Sequence, residues 1–209
     1  MKINEIFYSL QGEGQWMGIP NIFIRTTGCN LRCSYCDTTY AYTEGEPWET
    51  TKIIEHIGNF NCKKICITGG EPLLQNDLII LIDQLIAHSY ELLIETNGSL
   101  PIDKLVQYKK LRVSMDVKCP SSKMHNQLHK ENMDLLRPSD QIKYIIGNKE
   151  DYEYAKKHFI ENNPKSIVFF QSVWNTNQAD LAAWILQDNL DVRYGLQLHK
   201  ILWGKKRQV

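Results

Sequence analysis

The chain has 209 residues, 43% hydrophobic, 10% aromatic and 23% charged, and its 24 Lys and Arg are balanced by 24 Asp and Glu. This is the composition of a soluble globular domain that buries most of its unfolded surface without disulfides or a structural metal; it excludes disorder, collagen and coiled coil. A net charge of zero weighs against a nucleic-acid or membrane-surface partner, because both usually meet a basic excess, and Lys205-Lys206-Arg207 is a short solvated run.

The opening Met1-Lys2-Ile3-Asn4-Glu5 places an acid where a signal peptide would begin its apolar region, so no targeting segment and a cytoplasmic location are expected. Along the chain, residues 19–26 read as a strand that feeds a cysteine-rich loop over 28–46. A helix over 48–59 follows, with Ile53, Ile54 and Ile57 on one face. Residues 64–68 read as a strand ending at a glycine pair, and 77–88 as a strongly apolar helix. Its longest apolar stretch, 78–82, is far short of the ~20 residues that span a bilayer. Strands are expected over 92–95, 111–116, 141–146, 166–171 and 192–198, with helices over 150–161 and 178–187. Strands separated by helices at this spacing predict a parallel sheet in a single α/β domain over 1–209. Polar and glycine-rich residues follow the strand ends, at Gly28, Thr68-Gly69-Gly70-Glu71, Thr96-Asn97-Gly98, Asp116 and Gln171. In parallel barrels the site forms at that end, so several polar loops are expected to share one mouth.

Three of the six cysteines stand together in Gly28-Cys29-Asn30-Leu31-Arg32-Cys33-Ser34-Tyr35-Cys36-Asp37-Thr38. Three thiolates at C-x3-C-x2-C spacing suit three corners of a [4Fe–4S] cluster and leave one iron free for a small ligand. A structural zinc site is the alternative, but it wants four ligands, and no Cys or His occurs between Cys36 and His56. Cys62 and Cys66 read as buried core thiols and Cys119 as a space-filler, and the single histidines lack ligand spacing.

The C-x3-C-x2-C pattern with Tyr35 before its last cysteine resembles the radical S-adenosylmethionine (SAM) superfamily. Thr68-Gly69-Gly70-Glu71-Pro72 is similar to the Gly-Gly-Glu-Pro element of that superfamily, where a glycine pair lets the backbone approach a ligand closely. The resemblance implies a [4Fe–4S] cluster on Cys29, Cys33 and Cys36. It also implies a SAM pocket of Tyr35, Cys36, Asp37, Gly69, Gly70, Glu71, Thr96, Ser114, Asp116, Lys118, Gln171, Ser172, Val173 and Trp174. Gly70 and Glu71 are expected at the methionine amino group, and a bulkier residue at 70 to block SAM while sparing the cluster.

Longer stretches resemble the 7-carboxy-7-deazaguanine synthase family: residues 5–14, Phe23-Ile24-Arg25, Cys36-Asp37-Thr38, residues 114–122, Gln197-Leu198-His199 and Trp203-Gly204. Leu196, where a proline is usual, and Gln208, where a glycine is common, depart from the pattern. The fold implied is a partial (β/α) barrel, an abridged form of the radical-SAM core. The reaction implied is ring contraction of 6-carboxy-5,6,7,8-tetrahydropterin to 7-carboxy-7-deazaguanine with loss of ammonia. It would start with hydrogen abstraction by a 5′-deoxyadenosyl radical and end with SAM regenerated. Leu10, Gln11, Gly12, Glu13, Arg25, Thr68 and Val209 would bind the pterin, with residues 190–209 closing the pocket and Thr38 holding Mg2+. The family also implies a homodimer, for whose face Trp16, Trp174 and Trp203 are candidate exposed aromatics, and an electron donor such as flavodoxin. A glycyl-radical-enzyme activase and a non-enzymatic iron–sulfur or zinc module remain the rival readings.

Overall fold

In the computed structural model, which describes residues 1–176 and 178–209, the chain builds a nine-stranded sheet flanked by helices. The strands are β1 (Lys2–Leu10), β2 (Pro20–Thr26), β3 (Glu46–Pro47), β4 (Lys64–Gly69), β5 (Glu91–Thr96), β6 (Leu111–Lys118), β7 (Gln141–Ile146), β8 (Ile167–Ser172) and β9 (Arg193–Gly195). Their order is β3-β1-β2-β4-β5-β6-β7-β8-β9, with β2 parallel to β4 and each successive pair parallel out to β9. Only β1 and β3 join antiparallel. The sheet ends at β3 and β9 without closing, so the architecture is an α/β partial barrel.

Alternation along the strands creates two different faces. Ile22, Ile24, Ile65, Ile67, Leu92, Ile94, Val113, Ile142 and Phe170 point outward into the main core. The helices meet them with residues at helical spacing. α1 (Thr50–Ile57) buries Ile53 and Ile57, and α2 (Leu78–Ala87) buries Leu78, Leu81, Ile82 and Leu85. After the short α3 (Asn132–Leu135), α4 (Lys149–Asn162) adds Tyr152 and Ala155, and α5 (Gln178–Gln187) adds Leu181 and Ile185. The intervening residues line the concave face. There Trp16, Phe23, Cys66 and Leu93 form a second, small core, packed by Phe7 and Ile19, which seals the floor of the open barrel.

Three expectations need correcting. Residues 192–198 do not form one strand: β9 is limited to Arg193–Gly195, and Leu198–Trp203 is a helix, α6. Trp16 is 4% exposed, because the turn that carries it folds under the barrel, so it offers no dimer face. Cys62 is only partly buried at a turn, whereas Cys66 and Cys119 are fully enclosed.

Candidate active site

A cavity of about 710 Å³ occupies the concave face and is lined by Cys29, Cys33 and Cys36 together with strand-end residues from across the sheet. Register explains the convergence. Arg25 lies beside Thr68, Asp116 beside Lys143 and Ile145 beside Gln171, all on inward positions of neighbouring strands. Gln171, Ser172, Val173 and Trp174 continue the wall past the end of β8.

The cysteine loop is held by backbone contacts that require glycine. Gly70 N donates to Thr26 O at 3.2 Å and Glu71 N to Gly28 O at 2.7 Å, so the loops after β2 and β4 lie directly against each other. A Cβ on Gly70 would stand 2.0 Å from Gly28 O and 3.0 Å from the Cys29 Cβ, and one on Gly69 (φ +143°) 2.3 Å from Thr26 O. The expectation that a side chain at 70 spares the cluster loop is therefore corrected: it would push that loop away.

Two expected pocket residues lie behind the wall. Glu71 is fully buried; its carboxylate accepts from Thr96 Oγ1 (2.8 Å), Asn97 N (2.7 Å) and Leu73 N (3.1 Å), and so ties the loops after β4 and β5 together. Burial pushes its carboxyl up to about 7, outweighing those three donors. Ser114 is also fully buried, accepting from Gln141 Nε2 at 2.7 Å, while Gln141 accepts from Gln15 N at 2.7 Å. It belongs to the floor rather than to the cavity surface. Tyr35, Asp37, Gly69, Gly70, Thr96, Asp116 and Lys118 do line the cavity.

The opposite wall comes from the turn after β1. Gln11 spends its side chain on the protein: Oε1 accepts from Gly12 N (2.7 Å) and Glu13 N (3.3 Å), and Nε2 donates to Cys66 Sγ and Glu95 Oε1 (both 3.3 Å). Glu13 accepts from Lys143 Nζ (2.7 Å) and Gln197 Nε2 (2.8 Å). Burial alone would raise its carboxyl, but Lys143, His199 and the two hydrogen bonds hold it well below the usual carboxylate range. Arg25 donates Nε to Glu5 Oε1 at 2.7 Å, and its terminal nitrogens have no acceptor among the described residues. Thr38 donates to Asp37 Oδ1 (2.9 Å), and Asp37 pairs with Lys200 (2.5 Å).

Tyr40, Lys143, Lys200 and Arg207 line the cavity with no motif to mark them, joined by Glu5, Gln197 and His199 of the family-like stretches and by Glu95 at the strand end that precedes Thr96. The C-terminal residues reach the cavity because their segment folds back over it. Leu198 N donates to Gly12 O (2.9 Å), and His199 packs so closely on Gly12 that a Cβ there would lie 2.0 Å from Nδ1. Arg207 then lies over the Tyr40 ring (3.6 Å) and pairs with Glu5 (3.4 Å), which brings Val209 to the cavity rim. Lys143 carried a legible signal, a lone charge inside the apolar strand Gln141–Ile146.

The donor set suits an iron–sulfur cluster and a polar ligand. Cys29 Sγ accepts from Leu31 N (3.5 Å) and Asn97 Nδ2 (3.8 Å), weak donors of the kind that stabilise a thiolate sulfur. The three cysteines do not converge into an ion-sized group with one another or with any His, Asp or Glu among the described residues, as a lone zinc ion would need. Tyr35 OH and Gln171 Oε1 are buried at the cavity without a hydrogen-bond partner among the described residues, which a polar ligand would supply.

A cysteine loop at the mouth of an open parallel barrel defines a radical SAM domain, and the family model described as Radical SAM superfamily matches residues 23–157. The chain is 40% identical to the 7-carboxy-7-deazaguanine synthase of Koribacter versatilis, over 97% of each chain. It is also 40% identical to that of Methanospirillum hungatei, over 97% of this chain and 85% of the relative. The crystal structure of QueE from Escherichia coli shares the fold at a TM-score of 0.80, with 22% identity over 95% of this chain and 94% of that one. The chain belongs to the 7-carboxy-7-deazaguanine synthase family of the radical SAM superfamily. That membership leaves the activase and the non-enzymatic module unsupported.

Proposed function

We propose that this protein is the radical-SAM lyase of deazapurine and queuosine biosynthesis that contracts 6-carboxy-5,6,7,8-tetrahydropterin to 7-carboxy-7-deazaguanine, releasing ammonia. The observation that carries this reading is that the three spaced cysteines, the glycine pair and the buried Glu13–Lys143 wall all border one cavity. When bound, a [4Fe–4S] cluster and SAM supply a 5′-deoxyadenosyl radical there.

In this proposal Cys29, Cys33 and Cys36 hold the cluster. The Gly69-Gly70 backbone, Asp116 and the orphaned Gln171 oxygen receive SAM, with Tyr35, Asp37, Thr96, Lys118, Ser172, Val173 and Trp174 completing its wall. Glu71 and Ser114 support that wall from behind. The free nitrogens of Arg25 take the pterin carboxylate, since a planar fork of donors matches two carboxylate oxygens. The Thr38 hydroxyl offers a hard oxygen for Mg2+ beside that carboxylate. Glu13, with Thr68 and the turn Leu10-Gln11-Gly12, faces the pterin edge. The apolar floor and the folded-back C-terminal segment ending at Val209 exclude water from the radical.

We read residues 1–209 as one domain, which the single continuous sheet supports. No described helix is long and apolar enough to cross a membrane. A cytoplasmic homodimer that draws electrons from a flavodoxin-type donor accords with the family resemblance. Incubating the reduced, cluster-loaded protein with SAM, Mg2+ and the carboxytetrahydropterin should give 7-carboxy-7-deazaguanine by mass spectrometry. SAM cleavage without any change in the pterin would overturn the substrate assignment.

A further inference from the structure

Lys143 is one of the most enclosed charges of the molecule, its side chain 4% exposed, and it faces three carboxylates from three different elements. Nζ lies 2.7 Å from Glu13 Oε2 on the turn after β1, 3.2 Å from Asp116 Oδ1 on β6 and 4.0 Å from Glu95 Oε1 on β5. Every one of these carboxylates lines the cavity. Each is fixed on its other side, Glu13 by Gln197 (2.8 Å), Asp116 by Lys118 (2.8 Å) and Glu95 by Thr68 (2.9 Å). Lys143 is therefore the shared partner through which the SAM wall and the pterin wall touch.

Without that cation, like charges would crowd one wall, and the burial that opposes the Glu13 charge would lose its strongest counterweight, so its carboxyl would move toward the protonated form. A protonated carboxyl donates a hydrogen bond, whereas an ionised one only accepts. The distinction decides what the wall can read, because the guanidine-like edge of a pterin presents adjacent N–H donors.

We propose that Lys143 is a positioning residue that keeps Glu13 ionised and holds it and Glu95 toward one ammonium, so that together they form an acceptor pair selecting a substrate edge of adjacent N–H donors. This inference rests on the pterin reading above. The other charged or titratable groups facing the pair are His199 of α6 beside Glu13, and Arg25 of β2 with the neutral Cys66 thiol of β4 beside Glu95; Lys118 is spent on Asp116. The Lys143 ammonium supports the assignment: burial disfavours its charge, yet Asp116, Glu13 and Glu95 hold it well above its ordinary range.

The test compares cluster-loaded wild type, Lys143→Met and Lys143→Arg by calorimetric binding of the carboxypterin and of its analogue carrying an oxo group in place of the 2-amino group. Wild type should prefer the amino compound by at least about a hundredfold, the scale on which an acceptor site rejects the wrong partner. Its Kd should stay flat from about pH 5.5 to about pH 8. Lys143→Met should bind the amino compound at least about tenfold more weakly, prefer it by less than about tenfold, and show a Kd that changes with pH in that window. Lys143→Arg should restore the preference. A folded Lys143→Met protein with wild-type preference and a flat pH profile overturns the inference. If that variant does not fold, the wild-type profile decides, because a Kd that weakens as pH falls through this window contradicts a permanently ionised Glu13. A wild type that binds no pterin at all overturns the functional reading itself, whereas loss of kcat in Lys143→Met with unchanged Kd overturns only the role given to Lys143.

Discussion

Glu71 stands beside the site without touching the cavity, and its burial gives the protein a distinctive pH response. The carboxyl is pushed from its ordinary 4.5 to about 7, which corresponds to about 3 kcal/mol against the ionised form. The sign follows from proton binding. Below about pH 4.5 the group is protonated in both states and costs nothing. As pH rises, the unfolded chain releases its proton first, so stability falls until the folded carboxyl ionises near 7, and the loss is complete above that. Glutamine at 71 stays neutral throughout, but its amide NH2 must face one or two of the donors from Leu73, Thr96 and Asn97, at a cost of about 1–3 kcal/mol. Glu71→Gln should therefore be less stable than wild type near pH 4.5 and as stable or more so near pH 8, a relative swing of about 3 kcal/mol. Anaerobic urea unfolding of the cluster-free protein at several pH values would measure it. The difference between the two proteins cancels the titration of groups they share, such as Glu13, Asp116 and His158. A difference that is the same within about 0.5 kcal/mol at both ends of the range would refute the buried-charge explanation.

Three further outcomes follow from the site. Replacing Cys29, Cys33 or Cys36 with Ala should abolish the iron–sulfur absorption and SAM cleavage, while Cys62→Ala should retain both and Cys66→Ala should assemble a cluster in whatever fraction folds; failure of folded Cys66→Ala to do so would contradict the ligand assignment. Gly70→Ala should lower cluster loading and SAM affinity together, because its Cβ meets Gly28 O at 2.0 Å and Cys29 at 3.0 Å, and full loading with weak SAM binding would show that the loops part without cost. Arg25→Lys should raise KM for the carboxypterin at least about tenfold, or ~1.4 kcal/mol, by giving up the charge-assisted bond to Glu5 and the planar fork. SAM cleavage without substrate should survive that change, and wild-type kinetics would remove Arg25 from substrate binding.

Much of the outer architecture was legible because it depends on local pattern. Residues 141–146 and 178–187 form the strand and the helix that their periodicity predicts, and the parallel order follows from helices placed between strands. β1 is hard to see in the sequence because Lys2–Leu10 alternates along an antiparallel pairing, with Glu5 inward and Tyr8 exposed, and lacks the apolar run of a buried parallel strand. The last segment departs from its local pattern for a related reason. The apolar residues of 192–198 are shared between a three-residue strand and the start of α6, and the break comes from Gln197 and Leu198 bonding to the turn at Gly12 and Glu13, more than 180 residues away.

The site separates along the same line. Cysteine spacing and the glycine pair are local features, so Cys29, Cys33, Cys36 and Gly70 could be placed by reading the chain. Which polar residues reach the cavity is decided instead by sheet parity and register, and neither is written in any one segment. Glu95 and Ser114 are register partners on one face, yet Glu95 lines the cavity while Ser114 lies beneath Gln141, because the turn at Gly14–Trp16 fills the barrel below that level. The same turn explains why Gln11, expected at the substrate, gives its whole amide to the protein: it joins the floor at Cys66 to the wall at Glu95 and sets the backbone from which Glu13 projects. Glu13 can then sit between Lys143 and Gln197 as a largely buried, ionised acceptor only because a mid-strand residue of β7 and the C-terminal segment both reach it. Chemistry that the sequence localises to one loop is thus completed by charges that the topology delivers from the far ends of the chain.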